Sequence, residues 1–243
     1  MSERSGRAGA VEGRERKDVP ANDKAGHRKR LQERYDAAGP VALESHELLE
    51  LFLFEFIPRT DTKATAKGLL RRFGNLEGVL HASAEELQTV SGIGPKAARS
   101  ISVLAAIHRR SLQERILQRE VLSSWKAVME YLRAEMAFLH REQFRVLFLN
   151  KRNALIADEV LQEGTVDHTP AYPREVIRRA IELSATAIVL VHNHPSGDPT
   201  PSRADVDMTL QIIASGKPLG IAVHDHVIVG RNEHASLKGL QLI

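Results

Sequence analysis

The sequence has no cysteine, which rules out disulfides and thiolate metal ligands and leaves histidine and carboxylate as the groups on which any metal must rest. That donor set points to a hydrolytic or Lewis-acid role rather than a Cys-rich structural zinc. Aromatic residues are scarce, and the single tryptophan, Trp125, reads as core. No apolar run approaches the roughly 18–20 residues needed to span a bilayer, and the polar N-terminus lacks the apolar centre of a secretory signal. A cytoplasmic protein with no membrane association is expected. Charge of one sign is lacking too. Of the net +3, residues 1–34 hold ten Lys/Arg against six Asp/Glu, so the remainder carries 24 basic and 25 acidic residues and is nearly neutral.

Residues 1–34 have almost no large apolar side chains, and such a composition cannot bury enough surface to offset ordering entropy. A disordered basic tail is expected there, with His27-Arg28-Lys29-Arg30 either solvated or touching nucleic acid. Residues 35–112 read as a small all-α domain of short helices. Glu47–Phe56 is densely apolar and closed by Pro58, Thr62–Phe73 ends at Gly74, and Ser83-Ala84-Glu85-Glu86 is a capping box. In Val90-Ser91-Gly92-Ile93-Gly94-Pro95-Lys96, two glycines flank one apolar residue just before a helix. Gly92 and Gly94 allow close approach to a phosphate, Ile93 plugs the core, and Lys96 and the helix start favour an anion. The interval Thr62–Arg115 holds nine Lys/Arg and four Asp/Glu, the local basicity that backbone binding requires. DNA contact through Gly92, Ile93, Gly94 and Lys96 is one reading, and a tight turn that only joins two packed helices is the other.

Residues 113–122 read as a linker. From 123 to 243 strands alternate with helices: a helix from Trp125 to about Ala137 capped by Ser123 or Ser124, strands over Phe144–Leu149 and Ala154–Leu161, a helix over Pro173–Leu183, an apolar strand ending in His192-Asn193-His194, a helix from Ser202, and a strand over Ile221–Val229. The fold class is therefore α/β, a mixed sheet flanked by helices and preceded by the helical domain. Strand residues two apart share a face, so His192 and His194 project together. The Pro/Gly/Asp-rich segment after them forces a turn, Ser202 is an N-cap, and Asp205 sits in the first helical turn facing back toward the strand end. Ser-x-x-Asp is also an ordinary capping box. Two histidines and one carboxylate nonetheless make a three-ligand set that leaves one tetrahedral position of a zinc ion open, as catalytic zinc sites do. His224-Asp225-His226 repeats the His-x-His spacing without a third ligand and reads as sheet ordering or hydrogen bonding to the ligands. His168 and Tyr172 are further polar candidates.

The run His192-x-His194, seven residues, then Ser202-x-x-Asp205 resembles the JAB/MPN metalloprotease motif, and His192-Asn193-His194-Pro195-Ser196-Gly197-Asp198-Pro199 resembles its RadC branch. The likeness extends from about Tyr35 to the C-terminus. It implies a JAB/MPN-like sheet, Zn2+ on His192, His194 and Asp205, an upstream glutamate as general base, and Ser202 as a hydroxyl that stabilises an oxyanion. Glu142, just before the first strand, matches the family's glutamate position, and Glu159 in the second strand is the other candidate. The expected function is zinc-dependent hydrolysis of amide bonds in a peptide or protein. The alternatives are a DNA repair or recombination accessory protein, in which the domain is a scaffold, and a metal-dependent nuclease.

Overall fold

A computed structural model describes residues 21–58, 61–117, 120–121, 123–164 and 172–243; the first twenty residues of the expected tail, His168 and part of the expected linker lie outside these. The chain opens with α1 (Ala21–Ala38), α2 (Ser45–Leu53), α3 (Lys63–Phe73), α4 (Leu76–His81), α5 (Ala84–Gln88) and the long α6 (Pro95–Ile116). Leu49, Leu53, Leu69, Val79, Leu87, Ile93 and Ile101 form one core among these helices. Gly74 ends α3 with φ 87°, Ser83 and Glu86 exchange capping hydrogen bonds, and Ile93 is buried between the two glycines.

Two expectations are corrected here. Residues 21–34 are helical rather than disordered. Leu31 is buried against Leu43 and Phe54, His27 pairs with Glu50 at 2.9 Å, and Arg28 donates to the Ile57 carbonyl at 2.6 Å. One apolar anchor and two long-range polar contacts order a segment whose average composition argued against order. Nor is 113–116 a linker: α6 runs through it, and Leu112, Ile116 and Val121 join the core of the sheet region.

The sheet region comprises α7 (Trp125–Met136), β1 (Gln143–Leu149), β2 (Leu155–Glu163), α8 (Pro173–Glu182), β3 (Ala187–Asn193), α9 (Arg203–Gly216), β4 (Ala222–Val229) and β5 (His234–Ser236). Ser124 precedes α7 without capping it, its hydroxyl donating to the Glu120 carbonyl instead. Strand order is β2-β1-β3-β4-β5, antiparallel except for the parallel β3/β4 pair. β3 is buried along its whole length because it is central and covered on both faces. Leu147, Leu149, Val189, Val191, Val227 and Val229 face α7. Phe144, Val146, Phe148, Ile188 and Leu190 face the layer that holds α8 and α9. By alternation His192 belongs to the second face, the one that carries the start of α9.

Candidate metal centre

His192 is the last fully buried side chain of its row, 1% exposed, whereas His194 lies beyond the strand and is partly open. The main-chain N–H of His194 donates to the Val229 carbonyl and its own carbonyl accepts from Gly197, so the turn is tied to the end of β4. Gly197 has φ 89°, and a Cβ there would meet Arg231 at 3.1 Å, which is why this turn needs glycine. Asp205 enters from the first turn of α9. Its carboxylate accepts from the Ser202 N–H at 2.8 Å and the Ser202 hydroxyl at 2.6 Å, while its own N–H donates back to Ser202 Oγ at 3.2 Å. The capping box is thus what aims the carboxylate. His192 Nε2 lies 3.0 Å from His194 Nε2 and 3.3 Å from Asp205 Oδ1, and His194 Nε2 is 3.9 Å from Asp205 Oδ2. The three ligand atoms fall within 4.8 Å of one another, and this is the one such cluster of three among the described residues.

The surroundings decide which ring nitrogens carry protons. His194 Nδ1 lies 2.7 Å from the Asp198 carbonyl, which can only accept, so Nδ1 is protonated and the neutral form of the ring presents its lone pair at Nε2. His192 belongs to a longer row. Its Nδ1 is 2.8 Å from His226 Nε2, His226 Nδ1 is 2.6 Å from Thr209 Oγ1, and Thr209 Oγ1 is 2.5 Å from the Asp205 carbonyl. That last carbonyl is also acceptor-only, so the threonine proton points to it. Thr209 then accepts from His226, and His226 accepts from His192 Nδ1. The reverse order would leave the 2.5 Å threonine contact without a proton. Both Nε2 lone pairs and the Asp205 carboxylate therefore converge with no proton among them, an arrangement that repels itself unless a cation sits between. Burial pushes His192 down to about 4, opposed by Asp205 and reinforced by His194, and it pushes His226 well below its ordinary range, so both rings are neutral near pH 7, the form that ligates a metal.

Comparison with known families finds a match in each half of the chain. Residues 122–242 match the RadC-like JAB domain, and residues 62–106 match a helix-hairpin-helix motif. In its C-terminal half the chain belongs to the RadC-like JAB family.

The two glutamates considered as general base are placed differently. Phe144 pairs with His192 as the last pair of β1/β3, and Glu142 lies two residues earlier, just outside β1, where continued alternation would set it on the face of His192. Asn193 holds this stretch of chain. Its side chain accepts from the Gln143 N–H at 2.9 Å and donates to the Arg141 carbonyl at 3.1 Å, one bond on each side of Glu142. In the sequence Asn193 reads only as a spacer between the histidines, and nothing local to it signals this role. Glu159 lies on β2 opposite Val146 and is gripped by both arms of the Arg179 guanidinium at 2.6 and 2.7 Å, which holds its carboxyl below the usual range. It is a structural partner of α8.

The second His-x-His splits. A bulge in β4 between the partners of Ile188 and Val189 breaks the alternation at His224, which reaches Asn153 at 2.7 Å while His226 turns to His192. Asp225 accepts from Ser236, Lys238 and its neighbour His226, fixing the β4–β5 return. Tyr172 is exposed just before α8, with Arg174 over its ring at 5.7 Å. At the hairpin, Gly92 has φ 93°, with Thr65 packed where a Cβ would stand, and Gly94 precedes α6. No helix among the described residues is long and apolar enough to cross a membrane.

Proposed function

We propose that this protein is a zinc-dependent hydrolase of amide bonds, a metallopeptidase in type, whose helical half carries a nucleic-acid-binding hairpin. The observation that carries the reading is the convergence of two deprotonated imidazole nitrogens and a carboxylate on one point. His192, His194 and Asp205 would hold the ion, a nitrogen–oxygen set that suits zinc when thiolates are absent. Bound there, zinc would supply Lewis acidity to a carbonyl oxygen and lower the pKa of a water molecule.

The chain's own residues do the rest. Glu142, flanked by the two Asn193 bonds to Arg141 and Gln143, is the general base that takes a proton from the attacking water and returns it to the leaving amine. Ser202 orients Asp205 by giving its one hydroxyl proton to that carboxylate, and the same hydroxyl would stabilise an oxyanion at the open side of the site by turning that proton away from Asp205, which keeps the bond from the Ser202 N–H. One carboxylate base beside one three-ligand site suits acyl transfer better than a two-metal phosphoryl clamp. Gly92, Ile93, Gly94 and Lys96 form the hairpin contact with a phosphate backbone.

The test is a set of zinc-replete variants screened first on peptide and isopeptide libraries, then on single- and double-stranded DNA. Glu142→Gln should keep full metal content and lose turnover, Asp205→Ala should lose both, and Glu159→Gln should keep both. Cleavage of DNA but of no peptide, abolished in Glu142→Gln, would replace the peptidase reading with a nuclease.

A further inference from the structure

The helical layer and the RadC-like domain meet along a cleft of about 450 Å³, lined by Arg72, Phe73 and Glu86 on one side and Phe138, His140 and Arg231 on the other. The walls are clamped together. Arg133 on α7 pairs with Glu77 of α4 at 3.0 Å and donates to the Asn232 carbonyl at 2.7 Å, His81 stacks on Phe138 with ring centroids 4.7 Å apart, and His140 lies 3.5 Å from Glu86. The cleft is therefore built into the fold. Its mouth is basic: Arg72 and Arg231 are exposed, each with its guanidinium about 6 Å from an aromatic ring of the lining, and Glu86 is the one acidic lining residue.

Its position relative to the candidate site is close on two counts. Phe138 and His140 lead directly into Glu142. Arg231 donates its main-chain N–H to Gly197, in the turn that starts at His194. Arg231 thus joins the cleft to the turn that carries His194.

We infer that this cleft is a binding site for single-stranded nucleic acid, separate from the hairpin at Gly92–Lys96. The two cations neutralise phosphates, and the partly exposed Phe73 and Phe138 rings, together with the guanidinium planes beside them, give bases apolar and cationic surface to lie against, the combination that single strands need. The cleft falls within the roughly 300–1,000 Å³ of sites that hold a small organic ligand, room for a nucleotide or two and not for a duplex. The excess of Lys/Arg over Asp/Glu in Thr62–Arg115 favours a polyanion over an isolated acidic side chain. This inference rests on the nucleic-acid part of the proposed function and adds a strand preference and a second contact surface.

The test uses the full chain and a short fluorescent oligothymidine, read by anisotropy over a salt series. Arg72→Glu/Arg231→Glu should weaken binding at least tenfold and flatten the slope of log affinity against log salt by about 0.7 for each phosphate that is no longer neutralised. Lys151→Glu/Arg152→Glu, on the exposed β1–β2 turn, makes the same change in net charge and should leave binding near wild type. A 5-iodouracil strand should photocrosslink to Phe138 or Phe73. Gly94→Glu/Lys96→Glu should weaken duplex binding and spare the oligothymidine; if duplex binding is untouched, it is the hairpin reading that fails. The cleft inference is overturned if the arginine pair behaves like Lys151→Glu/Arg152→Glu, if crosslinks map to Gly92–Lys96 alone, or if a poly-glutamate peptide displaces the oligothymidine at equal charge concentration, which would assign the cleft to acidic protein segments.

Discussion

His226 is not among the three candidate ligands, yet replacing it should weaken metal binding as clearly as replacing some ligands would. The ring is fully buried and supplies the acceptor that keeps the His192 proton on Nδ1. In His226→Phe that acceptor is gone, at a ring only 1% exposed. Either the Nδ1 proton stays unsatisfied, at about 1–3 kcal/mol for a buried group, or it moves to Nε2 and must be displaced by the ion. Both routes converge on the range known for removing the hydrogen-bond partner of a ligating histidine, about 10- to 100-fold in affinity, or roughly 1.4–2.7 kcal/mol. Thr209→Val removes only the far end of the row and should cost less, so affinities should rank wild type, then Thr209→Val, then His226→Phe. Competition against a chelating dye gives the affinities, and far-UV circular dichroism confirms that each variant is folded. Nitrogen-15 spectra of the metal-free protein read the tautomers directly: both His192 and His194 should carry the proton on Nδ1. A His192 protonated on Nε2, or a His226→Phe variant that binds zinc as tightly as wild type, would refute the reasoning.

Other expectations follow from contacts away from the ligands. Leu31→Ala should lower stability by about 2 kcal/mol, the low end for a buried leucine because its cluster is small; a thermal melt unchanged by this substitution would return α1 to the solvent. His81, stacked across the two halves and pushed down to about 4 mainly by burial, takes up a proton in the unfolded chain near 6.5 and in the folded chain only near 4. Its contribution is therefore complete above pH 6.5 and lost as pH falls toward 4, and a His81→Phe variant should show a flatter melting profile over that window. Asn193→Ala should leave zinc affinity unchanged but speed exchange of the Gln143 amide, with a stability loss of about 1–3 kcal/mol; an amide as protected as in wild type would mean that Asn193 does not hold the Glu142 segment.

The clustering of His192, His194 and Asp205 was legible because its signals are local. Alternation puts His192 and His194 on one face, the Pro/Gly turn sets a short return, and the Ser202 capping box fixes where Asp205 points. Each needs no more than the residues of one strand, one turn and one helix start. What surrounds the ligands was less legible, because it is assembled by pairing between distant segments. His226 meets His192 across 34 residues through a parallel strand pair, and a bulge at His224 decides which of two equally spaced histidines makes the contact. Thr209 reads as an ordinary helix residue until that pairing is known. The order of α1 was hidden for a different reason: average composition describes the cost of ordering the segment, while Leu31, His27 and Arg28 make the three contacts that offset it.

The choice between the two glutamates turns on register. β1 is antiparallel to both β2 and β3, so Glu142 and Glu159 both fall in the rows that face α8 and α9, and face alone does not separate them. Depth along the strands does. Glu159 shares a row with Val146 and Leu190, one pair below His192, and there it meets Arg179 on α8. Glu142 is beyond the end of β1, two residues past the Phe144–His192 pair and on the side of the turn that follows His194. A slip of one residue between β1 and β3 would carry Glu142 to the α7 face and bring Gln143 into its place. The register is pinned at the far end by the Thr186 N–H on the Leu149 carbonyl and at the near end by Asn193 across Arg141 and Gln143. The same asparagine that separates the two ligand histidines in sequence thus fixes the strand register on which the position of the proposed base depends.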